Sequence, residues 1–216
     1  MEWWCVLSDR AYPLKLTLES LRPRLHAEPP ALPLLPTRGD FDLNPENRPA
    51  KRPDLLAAAV LLPIVARDEP TVLFTERNAN LKRHAGQVSF PGGRSEPGDT
   101  SLVQTALRET WEETGIESEF VTVAGFLDAY ETGTGYAVLP VVGLLKEGFV
   151  LAPNTDEVAE VFEVPLSFLL DPANRQKNQT EWQGRMRSYY AFRYHGHYIW
   201  GATAAMLVNF SERLTT

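Results

Sequence analysis

Cysteine is nearly absent. Cys5 stands alone in 216 residues, which excludes an intramolecular disulfide and a cysteine-built metal site. No base lies near it in sequence, so it is not expected to be a nucleophile. No apolar run is long enough to span a bilayer. The first residues, Met1-Glu2-Trp3-Trp4-Cys5, lack the basic and apolar blocks of a signal peptide. The last, Arg213-Leu214-Thr215-Thr216, are no Ser-Lys-Leu address. Positive charge is also short: 21 Lys and Arg face 28 Asp and Glu, for a net charge of −7. That balance, with pI near 5.2, argues against a general nucleic-acid surface. The aromatic and basic stretch Arg185–Tyr194 has the partial alternation of a strand with one buried face. The expectation is a cytoplasmic protein with no membrane and no nucleic-acid partner.

What is present is concentrated in the middle of the chain. Gly92-Gly93-Arg94-Ser95-Glu96-Pro97-Gly98-Asp99 reads as a glycine-rich turn opening a helix, and Arg108-Glu109-Thr110-Trp111-Glu112-Glu113-Thr114-Gly115-Ile116 as that helix and its end. At about 100° per residue, Glu113 lies about 40° to one side of Glu109 and Glu112 about 60° to the other. Like charges at such spacings cost roughly 0.2–0.5 kcal/mol per pair. A divalent cation with oxygen ligands, Mg²⁺ or Mn²⁺, reverses that penalty. A solvated acidic face is the plain alternative for a Glu-Glu pair alone, but the joint pattern argues against it. Val103, Leu107, Thr110, Trp111 and Thr114 fall on a separate arc expected to face a core. Asp99 and Thr100 are expected to cap the helix, and Gly115 to end it in a left-handed conformation.

This segment resembles the Nudix box, Gly-x5-Glu-x7-Arg-Glu-U-x-Glu-Glu-x-Gly-U with U bulky and apolar. Gly93, Arg108, Glu109, Glu112, Glu113, Gly115 and Ile116 match in type. Asp99 stands where the first Glu belongs, eight residues instead of seven separate it from Arg108, and Thr110 replaces the first apolar residue. Upstream, Val72-Leu73-Phe74-Thr75-Glu76-Arg77 through Leu81, His84, Gly86-Gln87 and Phe90-Pro91-Gly92-Gly93 is similar to the element marking the coenzyme A branch of that superfamily. Similarity continues in Thr134-Gly135-Tyr136, Pro140-Val141-Val142 and Asp156-Glu157-Val158.

The resemblance implies an α/β Nudix fold, a mixed β-sheet sandwiched between α-helices, and metal-dependent hydrolysis of the diphosphate of coenzyme A or a derivative, giving 3′-phosphoadenosine 5′-phosphate and 4′-phosphopantetheine. It assigns the metal, Mg²⁺ or Mn²⁺, to Glu109 and Glu113 with Glu112 assisting. Arg108 would hold Glu109 or Asp99 in place. Glu112 and Glu157 are the candidate general bases. Arg77, His84, Gln87, Gly92 and Gly93 are expected to bind substrate. Lys82, Arg83 and Arg94 add local positive charge that an anionic ligand of an acidic protein needs. His84 by itself reads as a hydrogen-bonding histidine. Two alternatives stand beside this: hydrolysis of another nucleoside diphosphate derivative such as ADP-ribose, and a Nudix-fold ligand-binding regulator without catalysis.

Composition, 44% hydrophobic, suits one globular domain with a sizeable core. Residues 1–50 read as a Pro-rich extension, with a short helix around Leu14–Leu25, and residues 51–216 as the catalytic domain. Within the latter, strands are expected at Leu55–Val65, Thr71–Arg77, Gln87–Phe90, Phe120–Leu127, Tyr136–Leu145 and Val158–Val164. Helices are expected at Thr100–Thr114, Leu166–Leu170 and Ala202–Leu214. Asp171–Gln179 reads as a polar loop, and Arg187–Tyr194 with His197–Trp200 as a hairpin about His195-Gly196.

Overall fold

A computed structural model describes residues 17–48, 54–81, 84–182 and 184–215. Cys5, Lys82 and Arg83, like the start of the expected Leu14–Leu25 helix, lie outside them. The elements in chain order are α1 (Leu18–Leu21), β1 (Arg38–Gly39), β2 (Leu56–Val65), β3 (Thr71–Arg77), β4 (Val88–Ser89), β5 (Gly92–Arg94), α2 (Leu102–Thr114), β6 (Val121–Phe126), β7 (Tyr130–Glu131), β8 (Tyr136–Leu145), β9 (Val158–Pro165), α3 (Leu166–Leu170), β10 (Gln176–Trp182), β11 (Arg185–Tyr194), β12 (His197–Trp200) and α4 (Gly201–Thr215).

Among the described residues, nine strands form one mixed sheet ordered β1-β7-β8-β2-β3-β4, with β5 on β2, β6 on β8 and β9 on β3. Its spine is the parallel pair β2/β8, in register from Leu56↔Tyr136 to Val65↔Leu145. Both strands are apolar along nearly their whole length, as strands covered on both faces must be. One face packs Phe74, Phe90, Leu62, Val142, Phe192 and Phe210 against α3, α4 and the small sheet β10-β11-β12. The other packs Leu61, Leu73, Leu139 and Val141 against Leu102 and Ala106 of α2. The alternation along β3 decides which side chain meets which site: Phe74 enters the first core, while Leu73 enters the second.

The upstream segment packs on this body. Leu21 and Leu25 join the first core and Leu34 the second. β1 adds a parallel strand beside β7. Gly39 permits that approach, since a Cβ there would stand 2.8 Å from the Glu131 carbonyl oxygen.

Three expectations need correction. Asp171–Gln179 is not wholly loop: β10 begins at Gln176 and pairs with β11 from Gln176↔Ala191 to Trp182↔Arg185. Most of its residues are exposed, so no apolar alternation announces the strand. The α2 cap is Ser101, whose hydroxyl accepts the Gln104 amide at 3.2 Å, while Asp99 is drawn into other bonds. Trp111 is 55% exposed; Thr110 and Thr114 of the expected arc are buried, joined by Leu102, Thr105, Ala106 and Glu113. The acidic and buried faces therefore overlap at Glu113.

Candidate active site

The site forms where α2 crosses β2 and β5. Gly93 lies so close to the helix that a Cβ there would stand 2.5 Å from the Glu109 carboxylate. At Gly92 a Cβ would meet the Ala59 carbonyl oxygen, also at 2.5 Å. Gly93 lets the helix bring its Glu109 carboxylate against β5, and Gly92 lets β5 lie close on β2. Glu113 is 3% exposed. Its carboxylate accepts from the Gly92 amide and the Thr75 hydroxyl, at 3.4 Å, and faces Arg77 at 3.7 Å. Burial pushes its pKa up to about 8; Arg77 opposes the shift, and the charges of Glu109 and Glu157 add to it. Burial also raises Glu109, against the pull of Arg108, with Glu112 and Glu157 again contributing.

Glu157 reaches this group through the chain that follows α2. The left-handed Gly115, φ 76°, ends the helix. The amides of Ala152 and Asn154 then bond back to the carbonyls of Thr114 and Glu113, at 2.9 and 3.1 Å, and the Glu157 amide bonds to Asn154 at 3.0 Å. The loop carrying Glu157 is thus hung from the last turn of the helix that carries the other carboxylates.

Arg108 orders the cluster from its solvent side. It grips Asp99 in a bidentate fork, Nε and Nη2 both at 3.0 Å. Its Nη1 reaches Glu109 and Glu112, each at 3.0 Å, and Nη2 also meets the Arg94 carbonyl at 3.1 Å. The fork holds Asp99 well below the usual carboxylate range, despite its burial. Asp99 further accepts from Thr105 and the Glu96 amide. Its lone pairs are spent on ordering Arg108 and the turn, which makes it an organiser of the site.

A family model described as the NUDIX domain matches residues 55–183. The chain belongs to the Nudix family. It is 43% identical over 157 residues, 73% of its length, to a Photorhabdus laumondii protein named "Uncharacterized Nudix hydrolase NudL", covering 84% of that protein. The Yersinia enterocolitica protein of the same name is 41% identical over 157 residues, 73% of this chain and 80% of that one. Among solved structures, a MutT/nudix family protein from Enterococcus faecalis is similar at 16% identity and TM-score 0.46, over 77% of this chain and 63% of that one. The molecule is accordingly a Nudix hydrolase, acting on the phosphoanhydride of a nucleoside diphosphate derivative, and Nudix hydrolases generally use divalent metal ions. No helix among the described residues is long and apolar enough to cross a membrane.

A cavity of about 640 Å³ opens on the side of the first core, lined by residues that include Arg77, His84, Gln87, Tyr136, Trp200 and Arg187. Arg77 belongs to both places, since it also faces Glu113. Its Nε is buried with no hydrogen-bond partner. His84 hydrogen-bonds Gln87 through Nδ1 at 2.8 Å, the bonding role expected of it. Tyr130, Asp40 and Arg187, which also line the cavity, were not singled out from the sequence; they lie far apart in the chain and carry no local motif.

A second group of ligand-type atoms lies elsewhere. Glu76 and Glu160 oppose each other on β3 and β9, and with His197 of β12 their ligand atoms fall within 4.8 Å of one another. The imidazole lies flat on Phe162, centroids 3.6 Å apart, with Nδ1 3.3 Å from Glu76 and Nε2 3.9 Å from Glu160. It spans two carboxylates that would otherwise repel across the strands, and it shares no residue with the α2 cluster.

Proposed function

We propose that this Nudix hydrolase cleaves the diphosphate of coenzyme A or its derivatives to 3′-phosphoadenosine 5′-phosphate and 4′-phosphopantetheine. The observation that supports this reading is the placement of Arg77. It joins the carboxylate cluster to the cavity, and it comes from the segment resembling the coenzyme A branch, as do His84 and Gln87 in the same wall. The volume suits a drug-sized ligand portion.

Glu109 and Glu113, with Glu112 beside them, would hold Mg²⁺ or Mn²⁺. The fit is chemical: the donors are all carboxylate oxygens, as a hard cation requires, and Glu113 is buried with its charge poorly compensated. A cation bound there supplies positive charge to the diphosphate oxygens and makes a nearby water more acidic. Arg108 keeps Glu109 and Glu112 oriented. The backbone at Gly92 and Gly93 leaves room for β2 and for the Glu109 carboxylate, and would meet the substrate beside that carboxylate. Of the two candidate bases, Glu157 fits better. Glu112 is half-exposed and tied to Arg108, whereas the charge of Glu157 is felt by both Glu109 and Glu113. It would take the proton of the attacking water.

The test is Mg²⁺- or Mn²⁺-dependent turnover of coenzyme A, with products resolved by mass, for the wild type beside Glu113→Gln. Formation of 4′-phosphopantetheine that falls by at least about 100-fold in the variant is expected. Turnover of ADP-ribose with none of coenzyme A would sink the substrate reading and leave the helix site standing.

A further inference from the structure

Glu76 of β3 stands directly opposite Glu160 of β9. Like charges in that position destabilise a sheet. Among the described residues, neither carboxylate has a lysine or arginine partner, and the one basic group beside them is His197.

His197 begins β12, and its ring is firmly placed. It lies within 7° of the plane of Phe162, and the side chain is 16% exposed. Nδ1 faces Glu76 and Nε2 faces Glu160. A neutral imidazole carries a single N–H. It donates to one carboxylate and turns a lone pair on the other. Even an imidazolium leaves two carboxylates with one positive charge. A divalent cation removes both faults.

The three residues offer one ligand atom each within 4.8 Å of one another. Ligands about 2.0–2.2 Å from a tetrahedral Zn²⁺ stand about 3.3–3.6 Å apart, so a small rotation of the glutamate side chains closes the group. Glu160 is 55% exposed, which gives an ion a way in and leaves room for water as a fourth ligand. One imidazole nitrogen among the donors suits Zn²⁺ better than Mg²⁺, which takes oxygen.

We propose that Glu76, Glu160 and His197 hold a Zn²⁺ ion, separate from the α2 carboxylates, that pins the small sheet to the large one. β3 and β9 belong to the large sheet and β12 to the small one. β12 also lies beyond residues 55–183, which the Nudix model matches. It ends at Trp200, and Glu76 immediately precedes Arg77; Trp200 and Arg77 both line the cavity. The ion would brace two cavity walls without touching substrate.

The experiment titrates Zn²⁺ into the chelator-stripped full chain by calorimetry. Glu113→Gln weakens the α2 cluster and serves as the background, alone or combined with His197→Gln or Glu160→Gln. The background protein should bind one Zn²⁺, and at about a hundredfold excess over Kd its Tm should rise by about 5 °C or more. Each second substitution should weaken Kd by at least about tenfold and remove the Tm rise. Ring nitrogen chemical shifts should place Zn²⁺ on His197 and leave those of His26, His84 and His195 unmoved. Should His197→Gln fail to fold, the exposed Glu160→Gln decides. A background protein that takes up no Zn²⁺ would overturn the proposal and leave His197 as an ion-pairing residue. Zn²⁺ binding with unchanged Kd in Glu160→Gln, or without movement of the His197 signals, would overturn it equally.

Discussion

Glu113 faces conflicting demands. Packing between α2 and the sheet removes it from water, and burial favours the protonated carboxyl; coordination requires the carboxylate. With a pKa pushed up to about 8, the metal-free protein holds a proton there at neutral pH. The folded value lies above the ordinary one of 4.5. The stabilisation this represents is complete below pH 4.5 and is lost as pH rises through about 8. Metal binding runs the other way, because the cation displaces that proton. Mn²⁺ affinity should therefore climb between about pH 6 and 8 and level off above. Calorimetry in buffers of different ionisation enthalpy should show a proton released on binding, and Glu113→Gln should abolish both effects. A flat affinity profile in the wild type would contradict this account. None of it is legible from the Glu-Glu pair, because spacing gives the direction of a side chain and not its depth.

The approach of α2 to β5 is set by what Gly93 lacks. A methyl group at that position meets the far end of the Glu109 side chain, not backbone, so the fold can yield but the carboxylate must swing away. Gly93→Ala should cost less than about 1 kcal/mol in thermal or denaturant unfolding. It should cut turnover by at least about tenfold through weakened metal binding. A large loss of stability with metal affinity intact would refute this. Sequence reading is strong for such elements where one residue type forces the outcome. Gly115 ended the helix as expected, and the apolar run ending at Val65 and the stretch Thr71–Arg77 became strands. It failed where several types compete. Ser101, Thr100 and Asp99 can all cap a helix, and tertiary demand from Arg108 removed Asp99 from the contest. The exposed β10 offered no pattern, and Trp111 lies outward while Ala106 and Thr110 are buried. Asp40 and Arg187 meet only through the fold.

The segment before β2 and the end of α4 are clasped together. Asp128, between β6 and β7, accepts from Arg213 Nε and Nη2 at 3.1 and 2.9 Å and from Asn209 at 2.9 Å, and contacts His26 at 3.2 Å. Arg24 bonds to the Leu214 carbonyl. Burial alone would raise the Asp128 pKa, but the hydrogen bonds from Asn209, Arg213 and His26 prevail and lower it to about 2. A depressed carboxylate gives stability that is present above its unfolded value and lost as pH falls through the folded one. Asp128→Asn should therefore destabilise the enzyme at pH 7 by roughly 1 kcal/mol, the partly solvated position screening the rest. Its deficit should shrink between about pH 4 and 2, read from denaturant unfolding at each pH. A deficit independent of pH would show that the charge is not what holds the clasp. Mechanically, a polypeptide fastened near both described ends is a closed loop. Tension applied at residues 17 and 215 falls first on Arg24, His26 and Arg213, so the terminal segments would peel away while the β2/β8 spine and the carboxylates beside it stay unloaded.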